Sequence, residues 1–148
     1  MAIEQLNEQL ALVGCIDPDV YNTGTQATDV IDMALHHRCL FTVAVGDLGD
    51  VGTVDFAVQE SATGVGAWTA ITGKAITQLT AAGGDDDSQA RVEVCDDEMT
   101  VNTLRRYLRG VLTVAGNAVD AIVLADADRC RYKPSSLQDL ASVVEIVQ

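Results

Sequence analysis

The sequence predicts an all-β protein: a single-domain β-sandwich, jelly-roll-like with an immunoglobulin-like arrangement as the alternative, and with extended N- and C-terminal arms. Three observations lead there. Hydrophobic residues make up 48% of the chain but aromatics only 4%, so its apolar content is aliphatic and suits many thinly packed strands. From about Thr28 the apolar residues recur at every second position, in short runs bounded by Gly, Asp, Asn or Ser. Only two prolines occur, and no helical patterns alternate with the strand-like runs.

Taken in order, the runs divide the chain into an arm or short helix plus loop over 1–27, a sandwich over 28–133 and a tail over 134–148. In Met1 to Gly14, Ile3, Leu6 and Leu10 fall at helical spacing, which reads as a short amphipathic helix or an arm that orders against a partner. Asp17-Pro18-Asp19 through Thr25 is rich in turn formers and reads as a loop. Strands are expected at Cys39–Gly46 and Thr53–Glu60, joined as a hairpin through Gly46-Asp47-Leu48-Gly49-Asp50. Another begins at Trp68-Thr69-Ala70-Ile71, turns at Gly73 and returns over Lys74–Leu79. Gln89–Cys95, Tyr107–Ala115 and Val119–Asp126 complete the set, with Gly116-Asn117 turning between the last two. In the tail, Ser136 lies three residues before Asp139, with Leu137, Leu140 and Val144 behind, a pattern for a short capped helix or a docking strand.

Charge narrows the partners. Asp and Glu outnumber Lys and Arg by 22 to 9, and the net charge of −13 repels nucleic acid and anionic membranes. No charged segment leading into an apolar one opens the chain, so a protein made and kept in the cytoplasm is expected. Cys15, Cys39, Cys95 and Cys130 are too dispersed for a zinc knuckle or a redox pair; reduced thiols are the default, and their pairing is open.

No constellation of nucleophile, base and orienting group assembles, so the sequence assigns no catalytic residue, no metal ligand and no cofactor. His36-His37, beside Arg38 and near Asp32, would point to opposite faces of a regular strand and cannot share a metal. Asp85-Asp86-Asp87 and Asp126-Ala127-Asp128 lack the ligand spacing of a calcium loop and read as solvated charge; the second pair would point the same way along a strand. Ser61 and Ser88 lie outside any nucleophile motif. Trp68 reads as a core anchor, with an exposed stacking residue as the other reading. Arg105, Arg106, Arg109, Arg129, Arg131 and Lys133 form a basic cluster suited to internal ion pairs or to a neighbouring acidic subunit.

Blocks running from Val30-Ile31-Asp32-Met33 through His37-Arg38-Cys39-Leu40-Phe41, Val45-Gly46-Asp47-Leu48-Gly49, Val54 to Ser61, Trp68 to Leu79, Arg106 to Val114 and Ala127 to Pro134 resemble, in their order, a family of tailed-phage and prophage head structural proteins. The resemblance implies a small, non-enzymatic β-sandwich that cements or decorates the exterior of a virion capsid. Its implied partners are the major capsid protein and itself, as a dimer or trimer. Terminal arms, Met1 to Asn22 or Pro134 to Gln148, would contribute to the interface. The alternatives are a carbohydrate- or receptor-binding module using Trp68, and a tail or neck component.

Overall fold

The computed structural model describes residues 6–100, 106–129, 131 and 142–147. After a single helical turn, α1 (Leu6–Gln9), come ten strands: β1 (Ala11–Tyr21), β2 (Gly24–Ala27), β3 (Ile31–Asp32), β4 (Arg38–Val45), β5 (Thr53–Ser61), β6 (Thr69–Ala75), β7 (Leu79–Thr80), β8 (Gln89–Cys95), β9 (Tyr107–Ala115) and β10 (Val119–Asp128). Sheet A has the order β1-β10-β4-β8 and sheet B the order β2-β9-β5-β6. β2 and β3 both pair with β9, and β6 and β7 both pair with β5, so each couple is one interrupted edge strand. Eight strands then divide four to a sheet, and the chain changes sheet at every connection except β5 to β6. That is the jelly roll, with all pairs antiparallel; the immunoglobulin-like alternative, with its different strand order, is set aside.

Alternation along each strand sends one set of side chains between the sheets. In β4 these are Cys39, Phe41, Val43 and Val45; in β5, Val54, Phe56 and Val58; in β9, Leu108, Leu112 and Val114; all are buried in one core cluster. Phe41 of sheet A meets Phe56 of sheet B with ring centroids 5.6 Å apart, a tilted contact between the protein's two phenylalanines. Gly110 on β9 makes room for them: a Cβ there would stand 2.5 Å from Phe56 and 3.1 Å from Phe41. Thr28 brackets the same glycine, its N–H donating to the Gly110 carbonyl and its Oγ1 accepting from the Gly110 N–H, both at 2.9 Å.

The strands expected at 39–46, 53–60, 89–95, 107–115 and 119–126 are present within two residues of their expected ends. Three other expectations are corrected. The segment 39–46 does not form a hairpin with 53–60: β4 lies in sheet A and β5 in sheet B. The connection crosses between sheets because Leu48, fully buried, plugs the end of the core, while its N–H donates to Asp86 Oδ1 at 2.9 Å. Asp47 holds the same loop, accepting from Gly49 N at 2.6 Å. The Gly116-Asn117 turn likewise passes from sheet B to sheet A.

The second correction is the N-terminal segment. The described part of the expected helix is one turn, and the expected arm and loop become β1 and β2, paired with β10 and β9 inside the sandwich. Register shifts between Leu12 and Gly14 and between Ile16 and Asp19 break the alternation that would have marked β1 in sequence. The third is Gly73, which is a bulge rather than a turn. Between Ala57 and Gln59 the partner strand runs from Ala75 to Ala70, and Gly73, at φ 78°, takes the left-handed backbone that this excess requires. The expected tail pattern at Ser136, Leu137, Asp139 and Leu140 lies outside the described residues.

Gly110→Ala should destabilise the protein by about 1–3 kcal/mol or more through overpacking, because both rings are confined by the opposite sheet. Phe41→Ala should cost about 3–5 kcal/mol. Urea titration followed by circular dichroism measures both; a neutral Gly110→Ala would show that the rings can shift.

Candidate functional site

The sequence candidates for chemistry are dispersed and engaged. His36 and His37 lie in the turn before β4, not within a strand. His36 is buried, and desolvation pushes its pKa down against the opposing pull of Asp32. His37 Nδ1 lies 2.9 Å from Asp96 Oδ2, and Arg131 Nη2 reaches the same oxygen at 2.7 Å. Ser61 is fully buried at the end of β5; its hydroxyl donates to the Gly66 carbonyl and accepts from Thr63 N and Gly64 N, organising the 62–67 loop rather than awaiting a substrate. Ser88 donates to the Asp86 carbonyl at 3.4 Å. Asp85 and Asp86 are not simply solvated charges: Asp85 Oδ2 accepts from Thr80 N at 2.8 Å, and Asp86 ties this loop to Leu48. Among the described residues, no three His, Cys, Asp or Glu side chains are grouped to hold a metal ion.

The basic cluster turns inward on itself. Arg106 grips Asp32 through two nitrogens, which lowers the pKa of Asp32. Arg109 donates from Nε and Nη2 to Gln59 Oε1 at 2.9 and 2.7 Å, and its guanidinium stacks 4.4 Å from the centroid of Trp68. Trp68 is therefore not a core anchor: it is half-buried on the outside of sheet B. Arg105, Lys133 and Cys130 lie outside the described residues. Cys39 is buried, and desolvation pushes its thiol pKa far up, so it is inert.

What the fold does build is two unlike outer faces. On sheet B the outward positions of β5 and β9 pair as Asp55 with Thr113, Ala57 with Val111 and Gln59 with Arg109, a surface polar at its two ends and apolar between, with Trp68 against Arg109. On sheet A the outward positions pair Ile122 with Ala44, Leu124 with Thr42 and Asp126 with Leu40, so the middle of the face is apolar. A groove of about 420 Å³ opens at one end of that face, between Pro18 and Val20 of β1 and the floor formed by Ala44 and Ile122, with Asp19 and Asp120 at its rim. At the other end of the face, Leu6, Leu10 and Leu12 line a second groove, of about 370 Å³, with Val143, Ile146 and Val147. Ser142 Oγ reaches Cys15 Sγ at 3.1 Å and pins the C-terminal segment to β1. Asp126 and Glu145 are the carboxylates of this groove; burial raises the pKa of Asp126, opposed by Arg91.

No protein-family model matches the chain, and no curated protein sequence matches it significantly. Solved structures do. The chain is similar to the PBSX exported protein XepA, with a TM-score of 0.57 and 11% identity over 88% of this chain and 40% of that one. It thus spans two-fifths of the length of XepA. It also aligns with a chain of Triatoma virus, with a TM-score of 0.45 and 8% identity over 88% of this chain and 68% of the other. For Broad Bean Stain Virus the values are 0.43 and 7%, over 87% and 90%. At 11% identity, the likeness to XepA establishes a shared sandwich fold and nothing about activity.

The sign of the Asp126 shift gives a test. A raised folded-state pKa means that the protonated acid is the better-accommodated form, a preference fully present below the ordinary value of 3.8 and lost as pH rises through the folded pKa. Asp126→Asn should therefore raise the melting temperature at pH 7 and change it little at pH 3. Equal effects at both pH values in scanning calorimetry would show that the carboxylate is not penalised by its surroundings.

Proposed function

We propose that the chain is a non-enzymatic structural protein of a tailed-phage virion, cementing or decorating the capsid exterior by bridging neighbouring major capsid subunits. The observation that carries this reading is the distribution of apolar surface. Among the described residues, eight large hydrophobic side chains are exposed, and five of them, Leu6, Val20, Val144, Ile146 and Val147, stand on β1 or in the terminal segments beside it. Val20 lines the first groove on the outer face of sheet A, and Leu6, Ile146 and Val147 line the second. On a chain of net charge −13, a concentration of this kind is the mark of a surface meant for another protein.

The rest of the molecule suits the same task. Its charge disfavours premature self-association, and a rigid sandwich repeated by symmetry adds contact area between shell subunits without catalysis. Leu6 and the 142–147 segment sit beside the proposed docking face and extend the contact once the sheet has landed. The resemblance of the ordered blocks to phage head proteins supports the choice of a capsid partner over other proteins, and the jelly roll supplies the compact body. Self-association as a dimer or trimer on the lattice belongs to the same proposal.

Purified protein mixed with mature and with unexpanded phage shells tests the reading. Saturable binding at many copies per mature shell, with a raised shell melting temperature, is expected, and Val20→Asp and Ile146→Asp should each weaken it by about tenfold. Failure to bind shells, or binding at only a few copies as for a neck or tail component, would overturn it.

A further inference from the structure

The outer face of sheet B carries polar groups whose hydrogen-bonding capacity its own neighbours only half use. A guanidinium can only donate, so the two bonds from Arg109 fix the Gln59 oxygen and turn the amide nitrogen away from it. Among the described residues that nitrogen has no partner. Four positions back along β5, Asp55 accepts from Gln78 Nε2 on Oδ2 at 2.6 Å and keeps Oδ1 for another donor. About 13 Å of strand separates these two sites, and its middle is Ala57 beside Val111, a floor without polar side-chain atoms. Trp68, held by its stack with Arg109, stands at the donor end.

An apolar strip with a donor at one end, an acceptor at the other and an aromatic ring beside it fits the chemistry of a pyranose chain. Sugar C–H faces lie on aromatic and aliphatic surface, and hydroxyls both give and accept hydrogen bonds. The two charged groups on the strip, Arg109 and Asp55, are opposite in sign and already engaged, while the chain as a whole is strongly acidic. That balance selects a neutral ligand over an anionic one. We propose that this face binds a neutral oligosaccharide, with Gln59 Nε2 donating, Asp55 Oδ1 accepting and Trp68 as the stacking wall. The site goes beyond the capsid reading and is independent of it, because it lies on the opposite sheet from the proposed docking face.

Trp68 is the single tryptophan, so its fluorescence reports directly on the site. The full chain titrated with cellotetraose, maltotetraose, chitotetraose and mannotetraose should show a saturable emission change and protection from acrylamide quenching with at least one of them. Gln59→Ala and Asp55→Ala, matched to the parent by circular dichroism and melting, should each weaken that binding about fivefold while leaving shell binding unchanged. No saturable change with any of the four sugars, or a change that both variants leave intact, overturns the glycan site and leaves docking through sheet A untouched.

Discussion

The structure depends on the contact between Phe41 and Phe56 across the space that Gly110 leaves open. In an aromatic-poor chain, these rings are the largest fully buried side chains, and each comes from a central strand of a different sheet. Their packing fixes how the sheets lie over one another and therefore which residues point outward. A side chain at position 110 would push the rings apart and disturb both faces at once. The two proposed surfaces are thus consequences of one central fit.

A sandwich with four-stranded sheets also exposes edges, and the edges here are blunted. Lys74 crosses from β6 to the neighbouring edge of sheet A, where its Nζ donates to the Glu93 carbonyl at 2.7 Å and pairs with Glu98 Oε1 at 2.7 Å. β6 itself is bulged at Gly73, and β1 carries Pro18 within its second register shift. Charge, bulge and proline each discourage strand addition. Association is left to the sheet faces.

Much of this was legible in the sequence, and the exceptions have physical causes. Tyr107–Ala115 and Gln89–Cys95 are regular strands with uninterrupted alternation, and they read correctly to the residue. β1 did not, because its register shifts change which residues face inward, and Asp17-Pro18-Asp19 has the composition of a loop yet lies within β1, out of register with β10 until Asp19 pairs with Ala121. The sheet-to-sheet crossing after β4 was hidden because a Gly- and Asp-rich segment looks the same in a hairpin as in a crossover; the signal was Leu48, an apolar residue with no reason to sit in a solvated turn. Of the surfaces, Trp68 was visible as a residue of interest, but its partners Arg109 and Gln59 are 41 and 9 positions away in sequence and meet it only through the β5–β9 register. The apolar face of sheet A was missed for the same reason, since Leu40, Ala44, Ile122 and Leu124 gather only when β4 and β10 pair.

Hydrogen–deuterium exchange of the protein bound to mature phage shells, compared with the free protein, locates the docking face. Docking through sheet A adds protection in β1, β10 and 142–147 and leaves β5, β6 and β9 unchanged. Protection confined to the Trp68 face, with β1 and 142–147 exchanging as in the free protein, would contradict it.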